Sequence, residues 1–96
     1  MIERIIKNEE RLDSILKSIK DLEEALSRFK ANKKNIGLIN KYYGSKNWFR
    51  DKDNFEQNKI PKIKAGVLSE DAVWDMNEDI KDIVLEMKKI ISSYEK

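Results

Sequence analysis

A chain of 96 residues with 20 Lys and Arg against 18 Asp and Glu carries a formal charge of +2, and no cysteine or histidine. That composition excludes disulfides, thiol nucleophiles, Cys/His zinc sites, histidine general bases and haem ligation through histidine. A length near 100 residues predicts one domain, and 40% hydrophobic residues with three Gly and one Pro suit long helices.

From residue 1 to residue 36 there is no Gly or Pro, and the apolar residues keep a seven-residue beat. Ile5, Leu12, Ile19 and Leu26 form one row; Ile15, Leu22, Phe29 and Ile36 form a second, interrupted by Asn8. These are the a and d positions of a helix packed lengthwise against another. They predict a first helix over about residues 2–32, with a break between Asn32 and Asn35. Glu3/Lys7, Asp13/Lys17 and Glu24/Arg28 stand four apart with the acid first, the favourable order on an exposed face.

Residues 33–68 read as short helices and a connection. Ile36, Ile39 and Tyr43 share a helical face that ends at Gly44, and Ser45 is placed to cap a further short helix carrying Trp48 and Phe49. Asn58 to Gly66, with Pro61 inside it, reads as an extended return. Over residues 69–95 a second long helix is expected. Val73, Met76, Ile80, Ile83, Met87, Ile90 and Tyr94 alternate spacings of three and four. Ser69 is its expected N-cap, Glu70 and Asp71 place negative charge on its first turn, and Leu68 with Val73 fits a hydrophobic staple. The predicted fold is an all-α helical bundle, a single domain over residues 1–96. Its two long amphipathic helices pack antiparallel, with a short helical insert between them.

Tyr42, Tyr43, Gly44, Ser45, Trp48 and Asp51, followed by Ile60-Pro61 and then Gly66-Val67-Leu68-Ser69-Glu70-Asp71, make a pattern in the middle of the chain. It resembles the bacterial family catalogued as domain of unknown function 4298, whose small members open with a heptad-like helix and carry a YYxSxxW segment before a GVLSED segment. The resemblance implies the helical fold and a bacterial origin, and no activity.

Charge is uneven along the chain. Residues 1–33 carry +1, residues 34–68 carry +5 and residues 69–96 carry −4, a division the fold can neutralise within itself. Tyr42, Tyr43, Trp48 and Phe49 interleave with Lys41, Lys46 and Arg50, so segment 41–64 carries an alternative reading as a weak nucleic-acid-binding surface. Core packing of those aromatics is the favoured one. The segment from Asp51 to Lys62 fails as a calcium loop, having Glu56 where glycine belongs and Lys62 in place of the closing glutamate. The acidic pairs Glu10/Asp13, Asp21/Glu24, Asp75/Glu78 and Asp79/Asp82 fall outside the a/d seam, on solvated faces.

No catalytic, cofactor-binding or metal-binding residue is assigned, and no enzyme activity or cofactor is expected. Tyr42, Tyr43, Trp48, Asp51, Ser69, Glu70 and Asp71 are the candidate interaction or structural-signature residues. The expected partner is a protein, a second copy of the chain included; nucleic acid and membrane are not expected partners. No signal peptide or membrane span is read in the sequence, so a cytoplasmic location is expected.

Overall fold

The structure, a computed structural model, describes residues 1–95. It is built from four helices, α1 (Ile2–Ala31), α2 (Lys33–Tyr42), α3 (Lys46–Glu56) and α4 (Ala72–Tyr94), with one turn of 3-10 helix at Gly66–Leu68. No strand is present among the described residues. The chain divides into two compact units, Met1–Ile36 and Gly37–Lys96.

In the first unit α1 runs for 30 residues, about 45 Å at 1.5 Å per residue. Glu3 in its first turn and Arg28 and Lys30 in its last complement the helix dipole. The break comes at Asn32, whose backbone turns to φ −84°, ψ −2° with its N–H shared between the Arg28 and Phe29 carbonyls. Its Nδ2 donates to the Arg28 carbonyl at 3.1 Å, while its Oδ1 accepts from Asn35 Nδ2 at 3.1 Å. α2 starts again one residue later.

The ion pairs of α1 differ from those the spacing suggested. Lys17 reaches forward to Asp21 at 2.9 Å and Lys7 to Glu10 at 4.0 Å, whereas Glu3/Lys7, Asp13/Lys17 and Glu24/Arg28 are not among the ion pairs of the described residues. A lysine in mid-helix has acids within reach on both sides, and solvated pairs of this kind differ by only ~0.2–0.5 kcal/mol, too little for sequence order to decide between them.

None of the residues of α1 is buried. Ile19 is 48% exposed and Leu22 58%, and Ile5, Leu12, Ile15 and Leu26 are exposed with them. The seam expected along α1 is therefore not among the buried surfaces of the chain.

The second unit holds the core, Trp48, Leu68 and Val73, one residue each from α3, the 3-10 turn and α4. Gly44, at φ +78°, makes the corner after α2 that a side-chain-bearing residue adopts only with strain. Ser45 then caps α3, its Oγ accepting from the Trp48 N–H at 3.2 Å. At the other end of α3, Asn58 takes the left-handed conformation at φ 57°. The Asn58 N–H donates to the Phe55 carbonyl at 3.2 Å and the Lys59 N–H to the Asn54 carbonyl at 2.9 Å, the paired bonds of a Schellman ending. Beyond it the chain is extended through Pro61 to the 3-10 turn. Asn40 on α2 and Asn77 on α4 exchange two hydrogen bonds, at 3.2 and 2.8 Å, each amide donating to the other.

Candidate functional site

The signature residues of the second unit meet at the corner that precedes α4, and their placement follows from unpaired backbone carbonyls. Within the 3-10 turn, Ala65 and Gly66 already accept from the Leu68 and Ser69 N–H groups, and the α4 ladder starts with the Asp71 carbonyl accepting from the Asp75 N–H at 2.7 Å. The Val67 and Glu70 carbonyls stand between those two systems. A backbone acceptor left unpaired near a core is costly, and here each meets an aromatic donor from the preceding segment. Trp48 Nε1 donates to the Val67 carbonyl at 2.9 Å, and the Tyr43 hydroxyl donates to the Glu70 carbonyl at 2.5 Å.

The rings that carry these donors pack edge to face. Tyr43 and Trp48 lie 5.2 Å apart between centroids at 73°, and Trp48 and Phe49 lie 4.9 Å apart at 82°, the geometry favoured by aromatic quadrupoles. Lys52, one helical turn after Trp48, places its ammonium 5.2 Å from the indole centroid while donating to Glu70 Oε1 at 3.0 Å; Glu56 lies 4.0 Å away on the other side. Trp48 is thus 4% exposed, with its indole N–H bonded and a cation over its ring. Of the five aromatics in segment 41–64, Phe49 alone is exposed.

Tyr42 points a different way and ties α3 to the end of α2, its hydroxyl donating to Asp51 Oδ2 at 2.5 Å. Partial burial, and then the neighbouring Asp51 carboxylate, push the Tyr42 phenol from 10.0 up to about 12. The Lys52 ammonium is also held above its ordinary range, chiefly by its hydrogen bond to Glu70 and against a smaller opposing effect of desolvation.

Both shifts have the same sign for stability. The folded protein holds these protons more tightly than the unfolded chain, so the contribution is complete below about pH 10 and is lost as the pH rises through the folded values. Denaturant midpoints should therefore fall between pH 10 and about 12, and Tyr42→Phe should flatten that fall. Parallel alkaline profiles for the two chains would show that Tyr42 is not responsible.

Ser69 is exposed and accepts the Ala72 N–H on Oγ at 3.0 Å, with extended backbone at φ −72°, ψ 149°. That is the bond of an N-cap to the third residue on, although regular helix begins only at Ala72. Glu70 and Asp71 consequently lie in the turn before α4, not in its first turn, where Asp75 is the acid. Asp71 supplies its carbonyl to the helix and no side-chain cap. Glu70 supplies both a carbonyl to Tyr43 and a carboxylate to Lys52. Ser69→Ala should cost ~0.5–2 kcal/mol, read as a shift in the denaturant midpoint, and Ser45→Ala a similar amount at α3. An unchanged midpoint in either would show that the cap contributes nothing.

Beside the clasp lies a shallow depression of about 330 Å³ lined by Lys52, Phe55, Glu56, Ala65, Leu68 and Ser69. No group of three or more His, Cys, Asp or Glu side chains suited to a metal ion occurs among the described residues. The acidic pairs lie at exposed positions apart from the half-buried Glu78.

Of the seven candidate residues, Tyr43, Trp48 and Glu70 come together at this corner with Ser69 capping beside them, while Tyr42 and Asp51 form a separate pair between α2 and α3. Asp71 takes part through its backbone. Lys52 was not singled out from the sequence, although its place four residues after Trp48 is the spacing of stacked neighbours on a helix. Asn40 and Asn77 gave no signal, because each reads as an ordinary polar residue on a solvated face.

Fold and clasp define an all-α protein with a hydrogen-bonded aromatic corner and a long helix whose apolar row is uncovered. The family description of a domain of unknown function, DUF4298, matches residues 5–90, so the match takes in both signature segments and most of both long helices. The chain belongs to the DUF4298 family. No curated protein and no solved structure matches it.

Proposed function

We propose that this protein is a helical interaction module whose binding face is the apolar row of α1, and that the clasp between residues 42 and 71 is scaffold. The observation that carries this is the exposure of Ile5, Leu12, Ile15, Ile19, Leu22 and Leu26 on a helix with no buried residue. In water such a helix gains most of its stability from covering its apolar face, and a contiguous exposed stripe marks an interaction surface.

An antiparallel run of α1 along α4, expected from their matched rows, is one arrangement that covers it; a partner molecule is another. The bacterial cytoplasm is the location proposed for the module, and a chain without cysteine is compatible with that reducing compartment. No helix of the described residues is long and apolar enough to cross a membrane. No catalytic role is proposed.

The clasp reading is supported by the enclosure of Trp48 and the engagement of both tyrosine hydroxyls, which leave Phe49 as the one exposed ring of segment 41–64. Binding to generic duplex DNA with a steep salt dependence would favour the nucleic-acid alternative instead.

The test is the double substitution Ile19→Glu with Leu22→Glu on the middle of the row. It should abolish capture of partner protein from lysate of the native host while leaving the near-ultraviolet signature of Trp48 intact. Equal capture by the wild-type and substituted chains would overturn the proposal.

A further inference from the structure

The row along α1 is not uniformly apolar, and its one polar member specifies what covers it. Asn8 occupies a d position, in the phase that puts Ile5, Leu12, Ile19 and Leu26 at a and Ile15, Leu22 and Phe29 at d. Its amide is half engaged within the helix: Nδ2 donates to the Arg4 carbonyl at 2.9 Å, and Oδ1 accepts from Arg11 at 3.0 Å. One N–H and one lone pair of that amide remain. Burying them against hydrocarbon is unfavourable, so a partner that covers the row has to offer a donor and an acceptor at this level and apolar side chains at the others.

A second copy of α1 running parallel and in register meets that requirement. It sets Asn8 against Asn8 of the second copy, where two amides can exchange hydrogen bonds as Asn40 and Asn77 do within the chain. A one-heptad slip opposes Asn8 to Ile15, and the antiparallel register that aligns the full helices, with Ile5 against Phe29, opposes it to Leu26. The row of α4, from Val73 to Tyr94, holds no amide, and Asn77 beside it is already paired. A polar residue at a single a position specifies register in coiled coils at a cost in stability, and Asn8 places the same requirement at d.

The flanking positions agree. In the parallel pair each g residue faces the e residue five further on in the other copy. Arg4 meets Glu9, Arg11 lays its stem along Leu16, Ser18 meets Glu23 and Ala25 meets Lys30. One opposite-charge pair is made on each side, and no like charges are opposed. Resting on the proposed role of α1 as a binding face, we infer that the occupant of that face is a second copy of the chain, and that the protein is a parallel, in-register dimer through α1.

The chain's lack of cysteine makes the orientation directly readable. In the full-length protein, Leu12→Cys and Leu22→Cys place single thiols at exposed positions of the row. Sedimentation equilibrium at high micromolar concentration should give the dimer mass. On mild oxidation each variant should form disulfide-linked dimers with itself, and an equimolar mixture should give no L12C–L22C product. Adding Asn8→Leu to both chains should remove the register constraint and let the mixed product appear.

A mixed product with Asn8 intact overturns the parallel arrangement, and a self-only pattern unchanged by Asn8→Leu overturns Asn8 as the residue that fixes it. A monomer mass overturns the second copy as occupant. The lysate experiment with Ile19→Glu and Leu22→Glu separates these failures from failure of the binding face itself. Capture that the two substitutions abolish, alongside a monomer mass, would leave a binding face with a different occupant. Capture that survives them would remove the face altogether.

Discussion

Replacing Trp48 by alanine should lower stability by ~3–5 kcal/mol, the usual cost of truncating a buried aromatic. Among the described residues, Trp48 is the largest side chain of a core whose other buried members are Leu68 and Val73. The substitution leaves a cavity and also strands the Val67 carbonyl, which receives its hydrogen bond from the indole Nε1. Lys52 and Tyr43 lose the ring they pack against as well.

Because a small domain has ~5–15 kcal/mol in all, the variant should be largely unfolded or unfold at much lower denaturant. Trp48→Phe separates the two contributions. It keeps much of the volume and removes only the N–H, so it should fall between wild type and Trp48→Ala. A Trp48→Ala midpoint equal to that of wild type would mean that the ring does not hold this core.

Leu68→Ala is expected to cost ~2–5 kcal/mol, for a reason that lies in the topology of the second unit. Leu68 closes the 3-10 turn, and that turn packs against both α3 and α4. It sits directly before Ser69, so the N-cap bond to Ala72 and the aromatic bonds to the Val67 and Glu70 carbonyls all depend on the turn it anchors. The loss should therefore exceed that of Ser69→Ala, which removes one cap and leaves the anchor in place. Tryptophan fluorescence followed through denaturant unfolding reads both variants, and a cost for Leu68→Ala no larger than for Ser69→Ala would show that the turn is held by something else.

How far the sequence could be read is clearest at the ends of elements. Gly44 and Ser45 told where α2 stops and α3 starts, because a left-handed φ and a hydroxyl cap are local requirements satisfied within a few residues. Asn32 was harder. Asn8 makes the same side-chain bond to the carbonyl four residues back and leaves α1 unbroken, so the residue type alone does not mark the break. Ser69 was legible as a cap, but the start of α4 was placed early, since Glu70 and Asp71 resemble first-turn acids until the intervening turn is seen.

The clasp shows the same division. The residue types Tyr, Tyr, Ser, Trp and Asp at their spacing marked residues 42–51 as special, and a buried tryptophan in a small core was the favoured reading. What each donor bonds could not be read, because the acceptors are the main-chain carbonyls of Val67 and Glu70, 19 and 27 residues away. Every residue has a carbonyl, so the sequence carries no mark of which ones a fold will leave unpaired.

By itself the sequence determined an all-helical chain, the family it belongs to and the phase of each apolar row, because periodicity and local capping act over one or two helical turns. The tertiary structure alone decided which apolar rows are covered. The row of α4 is buried at Val73 and half-buried at Met76, Ile80 and Met87 but exposed at Ile83, Ile90 and Tyr94, whereas the row of α1 is exposed at all but Phe29. A heptad row records that a helix has a face to cover and is silent on what covers it. That depends on which distant carbonyls, rings and amides the turns bring together, and in this protein the turns assemble them around Trp48.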